Sequence, residues 1–265
     1  MSDGVSGCIA RVEPTAYYRR FIDRVRPEWA MIKLHHAGHL VERGETAATW
    51  APETKLITTS TISDEQLDEI SWSEERNILR EFRPAKHIPA DVSVYRDQRT
   101  SDRVEAIKNC MLGAAYMQSE LAAYETEIIP LFKGYTNSER ELSLQAAGDL
   151  GADTVAIYAS RYFSGNQGNK RKQLFRDLRK YSRHNIKSAL LIGLLSPKYL
   201  AKVPGYITAA AGQNQWRKRY SPDSQTIEES RASYQSLTAS VETALGLSSQ
   251  APAADCQPEE KAIGD

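Results

Sequence analysis

Short runs of β-branched and aliphatic residues alternate with longer amphipathic stretches through most of the chain, and this alternation sets the fold class. Residues 29–34, 55–61, 91–95, 127–132, 153–158, 188–193 and 206–211 read as strands. Between them, apolar positions recur at helical spacing over 15–25, 63–80, 101–124, 172–183 and 226–245. Pro27 stops the first of these helices, and Asp64 and Glu65 sit where the dipole of the second favours acids. A further helix is announced by a capping box, either Thr136 with Glu139 or Ser138 with Glu141, and is stopped at Leu150-Gly151 by a glycine suited to a left-handed cap. Strand, helix and strand within about 30 residues make a βαβ unit, whose strands must run parallel.

Seven strands alternate with helices, and there is no internal repeat. A TIM-like (β/α) barrel and an open doubly wound sheet both fit. No glycine-rich dinucleotide fingerprint follows the first strand, which weakens the doubly wound sheet and favours the barrel, and no cofactor is expected. The eighth strand is then irregular or missing. Residues 1–14 read as a loose lead-in ending at Pro14, 15–247 as one barrel domain, and 248–265, rich in Ser, Ala, Pro and Glu, as a disordered tail.

In such a barrel the C-terminal ends of the strands carry the chemistry. The stretch Asp91-Val-Ser-Val-Tyr-Arg-Asp97 reads as the central strand with a carboxylate at each end. Alternation puts Val92 and Val94 on one side and Ser93 and Tyr95 on the other, with Asp97 just past the strand. A solvated turn is the competing reading of Asp97. The other strand ends contribute His35, His36, Ser60, Thr61, Lys133, Tyr158, Ser160, Ser196, Gln213 and Asn214, a polar set where a structural core would prefer apolar residues. His35 is a candidate acid or base, because imidazole titrates near neutrality. With His36 and His39 it lacks the cysteine or HExxH spacing of a metal site, so no metal is expected. Lys133 suits an anion or a carbonyl oxygen, or else a salt bridge to a loop carboxylate.

Composition adds little until it is read locally. The 265 residues carry 34 basic and 34 acidic side chains, so bulk charge predicts no nucleic-acid partner. The charges are nevertheless clustered. Lys170, Arg171, Lys172, Arg176, Arg179, Lys180 and Arg183 surround a single acid, Asp177, and Arg217, Lys218 and Arg219 lie between Trp216 and Tyr220. Two such clusters at the ends of βα units suggest a phosphate-backbone footprint, against the plainer reading of a solvated helix face. Cys8, Cys110 and Cys256 are too scattered for a disulfide framework or a zinc site. No apolar run approaches the roughly 18 residues of a membrane span, and the first residues lack a signal-peptide pattern. A soluble, cytoplasmic protein of unstated oligomeric state is expected.

Taken in order, these motifs resemble the tRNA-guanine transglycosylase superfamily, most of all its DNA-acting branch, which installs 7-deazaguanine bases in DNA. The resemblance spans residues 29–219. The segment Asp91–Asp97 is similar to the family strand with two aspartates at this spacing, the second of which recognises the base. Lys133-Gly134-Tyr135-Thr136 stands where the family has a Gln-Gly-Gly turn lining the base pocket. Ala156-Ile-Tyr-Ala-Ser160 stands for a strand closing in two glycines, and Leu191-Ile-Gly-Leu-Leu-Ser-Pro197 for a Met-Gly-Val-Gly strand followed by proline. The family's first catalytic aspartate falls at His35. Its nucleophilic aspartate falls near Thr208 to Ala211, where no carboxylate stands, and the zinc ligands of the tRNA enzymes are absent.

The resemblance implies a barrel that binds or exchanges a guanine or 7-deazaguanine base in a polynucleotide, DNA rather than tRNA. Asp97 would take the base edge, with Asp91, Lys133, Gly134, Tyr158 and Ser160 lining the pocket. Gln213 and Asn214 would hold sugar or phosphate, and Lys170, Arg171, Lys172, Arg176, Arg217, Lys218 and Arg219 would hold the backbone. Two alternatives stay open: a non-catalytic nucleic-acid-binding barrel, and a TIM-barrel hydrolase or lyase acting on a small phosphorylated metabolite.

Overall fold

The computed structural model describes residues 4–163 and 170–247, without the side chains of Asp68 and Arg161. Eight parallel strands, β1 (Gly7–Val12), β2 (Trp29–Lys33), β3 (Lys55–Thr59), β4 (Lys86–Ile88), β5 (Glu127–Ile128), β6 (Thr154–Tyr158), β7 (Ser188–Ile192) and β8 (Ile207–Gly212), form one sheet in the order β5-β4-β3-β2-β1-β8-β7-β6. The sheet curls until its ends meet: Leu131 bridges Ala156 in parallel, Phe132 N–H donates to the Ala156 carbonyl and Ala156 N–H to that of Pro130, each at 2.8 Å. This is the expected TIM-like architecture. The tail at 248–265 and Cys256 lie outside the described residues.

Helices return the chain between strands: α1 (Ala16–Val25), α2 (Leu34–Val41), α3 (Ala47–Trp50), α4 (Asp64–Asp68), α5 (Trp72–Phe82), α6 (Thr100–Leu121), α7 (Asn137–Asp149), α8 (Arg171–Tyr181), α9 (Pro197–Leu200), α10 (Asn214–Arg217) and α11 (Ile227–Leu245). The alternation of strand side chains divides the apolar core in two. Ile9, Met31, Ile57, Ile88, Leu131 and Leu190 pack inside the barrel. Their neighbours Cys8, Ala10, Ile32 and Leu56 face outward to Phe21, Leu40, Leu237 and Val241 of the helical layer.

Two expectations are corrected. The first fourteen residues are not a loose lead-in, because Gly7–Val12 is β1, buried between β2 and β8 and covered by α11. Nor is 91–95 a strand. The fourth strand is the three-residue β4, and it ends because Pro89 has no N–H for the ladder and Ala90 takes a left-handed φ of 46°. The alternation in 91–95 is nonetheless real in side-chain direction: the hydroxyls of Ser93 and Tyr95 both donate to the Asp64 carboxylate. Elsewhere the chemistry matches its signals. Thr136 and Glu139 form the capping box of α7, and Gly151 (φ 67°) ends it, with Ala152 N–H donating to the Ala147 carbonyl at 3.0 Å.

Candidate functional site

The C-terminal mouth of the barrel holds two cavities, one on each side. The first lies over β3 to β6 and measures about 130 Å3, with Asp91, Lys133, Gly134, Tyr158, Tyr95 and Tyr162 in its lining. Lys133 follows the inward-facing Leu131, so its side chain rises from the barrel wall. Its ammonium donates to the carboxylate of Asp91 and to the carbonyl of Val92. Both partners are mostly shielded, at 14% and 11% exposure, so the charges attract far more strongly than a surface pair.

The loop carrying Asp91 is held from below. Glu75 of α5 is buried, and its Oε1 accepts from the hydroxyl of Ser60, from Ala90 N–H at 3.2 Å and, at 2.8 Å, from the imidazole of His87 at Nε2. The other nitrogen of that ring meets the Thr58 hydroxyl at 2.8 Å. Burial pushes the Glu75 carboxyl up, but the hydrogen bonds and charge of His87, with those of Ser60 and Ala90, outweigh it and hold the group below its ordinary range. The Lys133 loop is fixed in the same manner. Glu139 accepts from Tyr135 N–H at 2.7 Å and Thr136 N–H at 3.2 Å, and it pairs with Arg103 of α6 at 2.9 Å. Two buried carboxylates thus orient the two loops of the cavity.

The second cavity, about 410 Å3, lies over the ends of β6, β7, β8 and β1. Gln213 and Asn214 line it together, joined by Arg11, Arg171 and Ser196, and Ser160 lies here rather than in the base pocket with Asp91 and Lys133, where it was expected. Arg11 shares the inward parity of Ile9, and Lys33 on adjacent β2 shares that of Met31. Beyond β1, Glu13 accepts from Gln213 Nε2 at 2.9 Å. Arg11 and Glu13 escape a reading in which 1–14 is a lead-in. The signal for them was the apolar run Cys8-Ile-Ala10 with Val12, broken by one arginine.

His35 and His36 open α2 beside this cluster, their ring centroids 4.1 Å apart. Burial and the neighbouring Lys33 lower His35, and burial with His35 lowers His36 to about 4, so both rings are neutral at pH 7 and can accept a proton. Among the described residues no group of three or more His, Cys, Asp or Glu is placed to hold a metal ion, and no helix is long and apolar enough to cross a membrane.

Asp97 is not brought to the mouth. It is exposed in the turn after Tyr95, and the carboxylate at the cavity is Asp91. Of the basic groups, Lys170, Lys172 and Arg176 are exposed along α8, while Arg171 turns to the cavity with its guanidinium over the Tyr199 ring, 4.4 Å from the centroid. Arg217, Lys218 and Arg219 are exposed, but the aromatics around them are not available to bases. Trp216 and Tyr220 are buried in an aromatic cluster, Trp216 stacked on Phe21 at 4.0 Å, because α10 turns its apolar side onto α1.

Comparison with known proteins finds no family model that matches the chain and no matching curated protein.

Proposed function

We propose that the protein binds a guanine-type base of a polynucleotide at the barrel mouth, as a transglycosylase-like protein. The Asp91–Lys133 pair carries this reading. A guanine or 7-deazaguanine edge presents two N–H donors beside a carbonyl oxygen. A carboxylate accepts the donor pair, and an adjoining ammonium donates to the oxygen. Adenine, with its donor and acceptor exchanged, does not fit both. Tyr158, Tyr95 and Tyr162 supply flat apolar walls for the ring. A base within a duplex would have to leave the stack to reach this cavity, and in this reading the exposed cations of α8 hold the strand that has released it.

Base exchange needs a carboxylate at the sugar carbon or another means of stabilising positive charge there. β8 carries none; Glu13, at the end of neighbouring β1, is the carboxylate on that side of the mouth. A base-exchange assay with labelled 7-deazaguanine on single-stranded DNA decides whether the protein is an enzyme or a binding protein, and Glu13→Gln removes exchange if Glu13 serves the sugar.

Recognition itself is tested by calorimetry with single-stranded oligonucleotides that differ only in guanine or adenine. Wild type prefers guanine, and Asp91→Asn weakens that binding by about ten- to a hundredfold, the worth of a charged hydrogen-bond pair. Equal affinity for the two bases, or an unchanged preference in Asp91→Asn, refutes the reading.

A further inference from the structure

Two guanidinium groups, Arg11 and Arg171, line the second cavity, and no carboxylate is in its lining among the described residues. Arg11 and Lys33 come from adjacent parallel strands, in which Arg11 pairs with Met31 and Val12 with Ile32. Their side chains therefore share the inner wall, Lys33 two residues nearer the mouth and outside the cavity lining, and neither makes a hydrogen bond or an ion pair among the described residues. Burial lowers Arg11, and burial with the charge of Arg11 lowers Lys33. The nearby carboxylate, Glu13, is engaged by Gln213 and forms no ion pair with either cation. Glu13 attracts both cations without touching either, and an anionic ligand in direct contact would offset the remaining cost of their burial.

The rest of the cavity wall is suited to the same ligand. Arg171 stands at the rim, while Ser160, Ser196, Gln213 and Asn214 offer hydroxyl and amide donors. Space is kept by two glycines: a Cβ at Gly193 (φ 103°) would lie 2.3 Å from the Ser160 hydroxyl oxygen, and one at Gly212 would lie 2.6 Å from the Leu195 Cβ. We propose that this cavity is a phosphate subsite, in which Arg11 and Arg171 take the charge of a phosphoryl group and Ser160, Ser196 and Gln213 its remaining oxygens. The loops after the seventh and eighth strands are a frequent place for phosphate in barrels of this class. That the phosphate belongs to the nucleotide whose base sits against Asp91 and Lys133 rests on the reading above; the anion site itself does not.

The test titrates the full chain with inorganic phosphate at low ionic strength, by calorimetry and by the urea midpoint. Wild type binds phosphate and is stabilised by it. Arg11→Gln loses about tenfold or more in affinity, as expected for a charge-assisted bond, and in the absence of phosphate its urea midpoint rises, since a desolvated charge has gone. A purely structural arginine would lower that midpoint. Arg171→Gln, at the rim, repeats the loss of affinity without touching the barrel interior, and Lys172→Ala, exposed on α8, leaves it unchanged.

Two further ligands separate the phosphate sources, 5′-guanosine monophosphate for a monoester and a guanine-containing single-stranded oligonucleotide for a diester. Phosphate binding without guanine preference keeps the subsite and removes the base reading. Guanine preference that Arg11→Gln and Arg171→Gln leave intact, with no phosphate bound by wild type, does the reverse and overturns the inference.

Discussion

Gly113 lies within α6, where alanine would ordinarily stabilise by about 0.5–1 kcal/mol by restricting the unfolded chain. Here the surroundings reverse the sign. A Cβ at Gly113 would come within 2.3 Å of the Ala90 Cβ, more than an ångström inside ordinary contact at 3.4 Å, and within 3.0 Å of the Trp72 ring. Neither neighbour yields easily. Ala90 is already in a left-handed conformation, and its N–H is bonded to the buried Glu75. Trp72 opens α5 and stacks on Tyr116 with centroids 5.8 Å apart. Overpacking of this kind costs roughly 1–3 kcal/mol, so Gly113→Ala loses about 1–2 kcal/mol after the helical gain is set against it.

Gly148 is the internal control. It is also helical, in α7, and a Cβ there would meet nothing within 4 Å. Gly148→Ala therefore gains about 0.5–1 kcal/mol. Urea unfolding of both variants beside wild type measures the two signs, with an unchanged m-value required for the comparison. Because Ala90 precedes Asp91, the strain in Gly113→Ala also moves the cavity wall, and guanine binding weakens in it but not in Gly148→Ala. A Gly113→Ala protein as stable as Gly148→Ala refutes the close approach of α6 to the β4–α6 loop.

Acid supplies another check on the same loop. Glu75 is held below its ordinary 4.5 in the folded protein, so its contribution is complete above that value and is lost as pH falls through the lower folded value. The wild-type urea midpoint should fall over that window more steeply than that of Glu75→Gln, and parallel pH profiles sink the assignment. At neutral pH, Glu75→Ala strands the Ser60, His87 and Ala90 donors and costs roughly 3–5 kcal/mol. On the outer face, Lys172, Arg176 and Arg179 share one exposed stripe of α8. If they hold a nucleic-acid backbone, replacing all three by alanine lowers the log–log salt slope of oligonucleotide binding by about 2–3, near 0.9 per phosphate contact; an unchanged slope makes the stripe a solvated surface.

The barrel was legible because buried parallel strands leave a strong local mark, the short aliphatic runs at β2, β3, β6, β7 and β8. β5 and β4 left weaker marks. β4 has three residues, Lys-His-Ile, and two of its side chains are polar yet buried, since Lys86 pairs with Glu127 and His87 with Glu75. No hydropathy pattern announces a strand whose burial is secured by partners more than ten residues away. The better alternation lay just downstream in 91–95, and it reflects the shared grip of Ser93 and Tyr95 on Asp64 rather than a ladder. β1 was missed for another reason. Its run is short, lies near the start, and gains its second partner only from β8, two hundred residues on.

Those two misplacements decided how much of the site could be read. Shifting the fourth strand towards the N-terminus by a few residues moves the mouth from Asp97 to Asp91, and Lys133 then has its carboxylate. Treating 1–14 as lead-in removed Arg11 and Glu13 altogether, although both face groups that had been singled out, Arg11 the Ser160 cavity and Glu13 the Gln213 amide. A mouth is assembled from one or two residues per strand, so each strand end misjudged costs the site a member while the fold class survives. The charges behave differently again. Arg171 and Lys172 are neighbours in sequence, yet a helix turns them about 100° apart, one into the cavity and the other to solvent. A basic run on a helix therefore divides into ligand-facing and surface groups, and only the structure shows where the line falls.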